Sequence, residues 1–184
     1  MPGGRLLALN LANGGPRWEA AVGDPRGTTE LERVADVSGS PVLVGREVCA
    51  VAYQGRIACF DAMTGAARWA RELSSDVGLS IDERFVYAAD DHGNVTAFSR
   101  ESGAGAWRNS KLANRDLSTP VAFDEKVAVG DAQGYIHFLS REDGSFLARV
   151  NPDGSAIKAG ASLVDGRNVI FQTQAGTVVA LAAN

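Results

Sequence analysis

The residues in this chain that could do chemistry are few and scattered. There are two histidines, His92 and His137, and two cysteines, Cys49 and Cys59. His92 follows Asp90 and Asp91 in turn material, which makes it a solvated residue. His137 lies inside an apolar run beside Tyr135 and Phe138 and reads as a packed or rim histidine. Neither stands in the Ser/His or Cys/His pattern that nucleophilic catalysis needs. Asp90, Asp91 and Asp131 close apolar runs. Paired carboxylates can hold Ca²⁺, but the spacing is not that of an EF-hand loop. Aspartate at the end of a strand caps the backbone N–H groups of the following turn. No catalytic residue, no cofactor site and no metal ligand is therefore assigned, and no cofactor is expected. One stretch has a different character: Glu30, Leu31, Glu32, Arg33 and Val34, followed by Asp36, Val37 and Ser38. Charges of both signs flank apolar residues there. That pattern suits a protein contact with an apolar centre and a charged rim, carried on a loop of a rigid scaffold.

The scaffold is a repeat. A skeleton of two glycines and a tryptophan occupies residues 55–69 and returns at 4–18, 93–107 and 134–148. A last copy starts at Gly176. The second glycine keeps its offset (Gly14, Gly65, Gly103, Gly144), and the copies end in Trp18, Trp69, Trp107 and Ala148. Such regularity decides the fold before any single residue does. The first glycine of each copy sits in short turn material and supplies the positive φ of a hairpin. The apolar runs that follow, at 57–60, 95–98, 136–139 and 178–181, are too short for helices and do not alternate with polar residues. They read as strands covered on both faces. The second glycine closes a polar turn, and a further strand leads to the tryptophan. At that position the indole can lie between neighbouring sheets. Another hairpin precedes each full copy, so every repeat supplies four antiparallel strands, one propeller blade of about 40 residues.

The fold class is all-β: a β-propeller of four-stranded blades, about four to five of an expected eight-bladed ring. A single partial propeller domain is expected over residues 1–184. It comprises a partial blade at 3–23, blades at 37–74, 76–110 and 117–150, and a partial blade at 158–182. The first interval between blade-start glycines is about ten residues longer than the others, and the excess falls at 24–38, read as an inserted rim loop. A two-residue turn at Gln54-Gly55 would pair Cys49 with Phe60. The two sulfurs would then face opposite sides of the hairpin, and no disulfide is expected. The formal charge of −4 excludes nucleic-acid binding by bulk electrostatics. No apolar run approaches the length of a membrane helix. The chain starts and stops inside repeats, which implies the C-terminal part of a longer protein, with any export signal outside it.

The skeleton G-x-hydrophobic-x-A-hydrophobic-D-x-x-T-G-x-x-x-W, carried most fully by residues 55–69, resembles the PQQ-like repeat of eight-bladed propellers. Two families share that repeat: the quinoprotein alcohol dehydrogenases and the BamB lipoproteins of the outer-membrane β-barrel assembly machine. The stretches at 27–38, 52–57, 69–73, 117–121, 129–138 and 141–144 resemble BamB beyond the generic repeat. The match runs in order over nearly the whole chain and corresponds to the C-terminal half of a BamB. The resemblance implies a non-enzymatic scaffold at the periplasmic face of the outer membrane, anchored through a lipid on a segment outside this chain. The implied partners are the POTRA domains of BamA and nascent outer-membrane β-barrel proteins. The family docks through an acidic rim around the inserted loop, which places Glu30, Leu31, Glu32, Arg33, Val34, Asp36 and Ser38 at the partner surface. Asp36 matches a family aspartate, whereas Ser38 stands where a second aspartate is expected. The alternative is a fragment of a PQQ-dependent alcohol dehydrogenase, a family whose resemblance implies an adjacent Cys-Cys pair that this chain lacks.

Overall fold

A computed structural model describes residues 3–23 and 36–182. All regular structure among them is β: 17 strands in five antiparallel sheets. The chain divides into two compact units, Met1–Leu79 and Ser80–Asn184. In the first unit, β1 (Arg5–Leu9) and β2 (Pro16–Ala21) form a two-stranded sheet. Strands β3 (Asp36–Val44), β4 (Glu47–Tyr53), β5 (Arg56–Asp61) and β6 (Ala67–Glu72) form a four-stranded one in chain order. At the boundary, β7 (Leu79–Ile81) opens the next sheet, completed by β8 (Phe85–Ala89), β9 (Val95–Ser99) and β10 (Gly105–Asn109). The second unit continues with β11 (Val121–Phe123), β12 (Lys126–Gly130), β13 (Ile136–Ser140) and β14 (Phe146–Val150). It ends with the three-stranded sheet of β15 (Ser162–Val164), β16 (Asn168–Gln172) and β17 (Val178–Ala182).

The inner strands are buried along nearly their full length, as at β8, β9, β12 and β13, whereas the outer strand β14 is mostly exposed. This explains why those runs lack alternation: their sheets are covered on both faces. The run at 178–181 departs from that expectation, since β17 alternates between exposed and half-buried residues. In the first unit Val22, Val48, Ala50, Ala58 and Phe60 form a core, with Leu6 and Trp18 packed against it. In the second, Phe123, Ile136, Phe138, Ile157, Val169 and Phe171 do the same.

The polar turns are four-residue loops. Asn10, Asp61, Ser99 and Ser140 each donate a backbone N–H across the loop to Gly15, Ala66, Ala104 and Ser145. The second glycine of each copy has φ between 67° and 73°. It has another task besides the turn. A Cβ on Gly65 would lie 2.7 Å from the Trp18 indole, and Gly144 meets Trp107 in the same way. Each indole also donates Nε1–H to the adjacent turn, Trp18 to the Ala62 carbonyl at 2.9 Å and Trp107 to the Arg141 carbonyl at 2.8 Å. The conformation and the missing side chain of the glycine thus seat a tryptophan from the preceding copy.

The cysteines correct the sequence reading. Cys49 pairs with Cys59 across β4 and β5, with Val51 opposite Ile57, and the two form a disulfide with Cα atoms 4.1 Å apart. The connecting loop has three residues, 53–55, rather than two, so every side chain of β5 shifts by one position relative to the expected pairing. Gln54, at φ 51°, takes the left-handed position there instead of Gly55. The disulfide closes a short loop, with a sequence separation of 10. Replacing both cysteines with alanine is expected to lower stability by about 2–3 kcal/mol through the freed unfolded chain. Denaturant unfolding with and without reductant checks this: reduction should bring the wild type to the level of the variant.

Candidate functional site

Of the expected partner-binding residues, Glu30, Leu31, Glu32, Arg33 and Val34 lie outside the described residues, as does most of the inserted loop. Asp36 and Ser38 are described, and they are strand residues. β3 starts at Asp36, two residues inside the segment read as loop. The reason is apolar: Val37 packs against the core of the first unit, and pairing with Ala52 carries its neighbours into the sheet. Asp36 pairs with Tyr53 at the mouth of the 53–55 loop, and Ser38 pairs with Val51. The hydroxyl of Ser38 reaches the Asp36 carbonyl at 3.4 Å. Immediately beyond, Gly39 at φ 65° approaches Gly78, and the register of β3 slips before Val42. Asp36 is exposed, and among the described residues its carboxylate has no cationic partner. A free carboxylate, held on a strand end beside exposed Tyr53, can meet a cation on another protein.

The other singled-out residues serve the turns. Asp90 accepts the N–H groups of His92 and Asn94 and the side-chain amide of Asn94, and pairs with Arg108 at 3.0 Å. Asp131 accepts from the N–H groups of Gln133 and Tyr135, both at 2.9 Å. His92 is exposed and touches Asp91. His137 is buried, with Nε2 2.8 Å from Asp131. The sequence reading missed that pairing. Its signal is the spacing: Asp131 opposes Tyr135 across a three-residue loop, and His137 follows two residues later on the same face. Asp131 is held below the ordinary carboxylate range. Burial opposes ionisation, but hydrogen bonds from His137, the Tyr135 N–H and Arg115 outweigh it. Burial holds His137 below the usual histidine value despite Asp131. Among the described residues no hydroxyl or thiol bonds to His137, so the pair lacks a nucleophile to activate.

The whole chain matches the family model described as outer membrane protein assembly factor BamB, over residues 1–109 and 91–184. The chain belongs to the BamB family. It is 48% identical over 185 residues to the outer membrane protein assembly factor BamB of Bordetella pertussis, covering 100% of this chain and 48% of that protein. The Burkholderia pseudomallei BamB is 46% identical over 177 residues, covering 96% of the chain and 46% of that protein. The chain spans about half the length of these curated relatives. The crystal structure of BamB from Moraxella catarrhalis superposes with a TM-score of 0.90 at 32% identity, covering 98% of this chain and 54% of that one. The fold is accordingly a β-propeller built of four-stranded PQQ-like blades. The cysteines, ten residues apart and bonded across a hairpin, are not the adjacent pair that the dehydrogenase resemblance implies.

Proposed function

We propose that this chain is part of a non-enzymatic scaffold of the outer-membrane β-barrel assembly complex, docking on the POTRA domains of BamA and aiding insertion of nascent β-barrel proteins. The observation that carries the proposal is BamB-family likeness along the entire chain, in sequence and in backbone. The chain is one partial propeller domain, with blades at 37–74, 76–110 and 117–150, partial blades at 3–23 and 158–182, and a rim segment at 24–38. Residues 30–38 are the docking surface, with Asp36 as the charged anchor and Leu31 and Val34 as apolar area. The Asp36 carboxylate, exposed and without a cationic partner among the described residues, supports this reading. The disulfide supports a periplasmic location, because such bonds persist in oxidising compartments.

The test is charge reversal. Removing one partner of a desolvated charge pair costs about 2–5 kcal/mol. Asp36→Arg is therefore expected to weaken binding to the periplasmic part of BamA by about 30-fold or more. Glu101→Arg, an equal charge change in the turn before Gly103, is expected to leave it unchanged. Calorimetry of the three proteins decides; equal affinities would remove Asp36 from the interface.

A further inference from the structure

A second feature of the molecule lies within the Ser80–Asn184 unit and stands apart from the docking reading. The segment after β10 and the outer strand β14 enclose an open cleft of about 440 Å³, within the usual size range of small-molecule sites. One wall is apolar: Leu112, with Phe146 and Leu147, which are respectively 39% and 52% exposed. The other is cationic: Lys111, Arg115 and Arg149. His137 lines the floor.

The charges do not close among themselves. Asp131 is the carboxylate at the floor, and it is fully engaged. Its Oδ2 takes Arg115 Nε at 2.5 Å and His137 Nε2 at 2.8 Å, while its Oδ1 takes two turn N–H groups. It offsets one cation of three. Lys111 and Arg149 have no carboxylate partner among the described residues. The Arg149 and Arg115 guanidinium groups lie over the Tyr135 ring, at 4.9 and 5.5 Å from its centre. A cleft lined by three cations with one carboxylate engaged beside them favours an anionic occupant.

Two buried atoms say more about that anion. Among the described residues, Arg115 Nη2 and His137 Nδ1 have no hydrogen-bond partner, although His137 is only 3% exposed. Buried polar groups left unpaired in this way are uncommon and costly. Their chemistry differs. Arg115 Nη2 can only donate. A carboxylate can only accept, so His137 must present Nε2–H to Asp131, and its Nδ1 then carries a lone pair. The missing occupant must therefore offer an acceptor and an O–H or N–H donor side by side. An ionised carboxylate has no such hydrogen. A phosphate monoester keeps one below its second pKa of about 6, the pH range in which this site would take it. We propose that this cleft binds an organic phosphate monoester: its oxyanion lies against Arg115, Arg149 and Lys111, its P–OH donates to His137 Nδ1, and its apolar group lies on Phe146 and Leu147.

Phenyl phosphate is the probe. The protein has two histidines, so ring ¹⁵N spectra resolve His137 from an internal control, His92. Titration is expected to give a saturating shift at His137 Nδ1 with His92 unmoved. Benzoate, which lacks the O–H, and inorganic phosphate, which lacks the apolar group, should bind about tenfold more weakly or worse. The double variant Lys111→Ala/Arg149→Ala changes two exposed side chains. It should keep the wild-type circular dichroism and lose about tenfold or more in affinity for phenyl phosphate. No saturable shift at His137, equal shifts at both histidines, or a double variant that binds like wild type would overturn the site. Benzoate binding as tightly as phenyl phosphate would overturn the phosphate assignment.

Discussion

Gly144→Ala is expected to destabilise the wild-type protein by about 2–5 kcal/mol, but a protein that already carries Trp107→Ala by only about 1–2 kcal/mol more. Two costs meet at this glycine. Its φ of 69° strains any residue with a Cβ, by about 1–2 kcal/mol. The added methyl would also press into the Trp107 indole, an overpacking cost of about 1–3 kcal/mol. Trp107→Ala alone should cost about 2–4 kcal/mol. The half-buried indole then loses its contact with Tyr87, whose ring centre lies 6.0 Å away, and its hydrogen bond to Arg141. In the double variant only the backbone strain of residue 144 remains in addition to the tryptophan loss. The coupling between the two sites should therefore be about 1–3 kcal/mol. Denaturant unfolding of the four proteins measures it. Additive losses would mean that the glycine serves the turn alone and that the indole is not seated on it.

That pair of positions also shows how much was legible in the sequence. Glycine and tryptophan at fixed offsets marked the blade and the placement of the indole, because the glycine recurs in four copies and the tryptophan in three of them. The turn at 53–55 was less legible for a local reason. In the later copies the residue three before the first glycine is Asp90, Asp131 or Thr173, and each caps its own three-residue loop. In the copy at 55–69 that place is held by Ala52, which has no capping atom. A Cβ on Gly55 would lie 2.8 Å from the Ala52 Cβ. With the marker missing, the loop length is not written in the local sequence, and a shift of one residue separates Cys59 from Cys49. The capped loops of the later copies carry the register and, with it, the disulfide. The candidate docking surface was legible only as composition: mixed charge around small apolar residues says that a contact is plausible there and says nothing of geometry. The Asp131–His137 pair escaped because its two members belong to different roles in the repeat, a turn cap and a strand residue. Only the loop register brings them onto one face.

The largest single-residue effect is expected at Asp131. Asp131→Ala should cost about 3–5 kcal/mol, because it strips the acceptor from a buried histidine and a largely buried arginine at once. It also frees the N–H groups of Gln133 and Tyr135. Asp131→Asn keeps an oxygen for those two N–H groups and should cost less, about 1–3 kcal/mol. The same cluster sets a pH dependence whose sign follows from proton counting. His137 is lowered by burial from its ordinary 6.5, so below that pH the unfolded chain binds a proton that the folded one refuses. Stability therefore falls as pH drops through 6.5 toward the folded value. Asp131 is lowered from 3.8, so the unfolded carboxyl again takes up its proton first, and a second loss follows as pH drops below 3.8. Both changes run the same way, with full stability on the neutral side. His137→Gln should flatten the first decline and leave the second; Asp131→Asn should lessen the second, to which Asp61, Asp143 and Asp153, also held below the ordinary carboxylate value, contribute. Unfolding midpoints measured from neutral pH into the acid range test this. A wild-type protein that gained stability between pH 6.5 and 5 would show that His137 is protonated in the folded state, and the neutral tautomer assigned to it would fall.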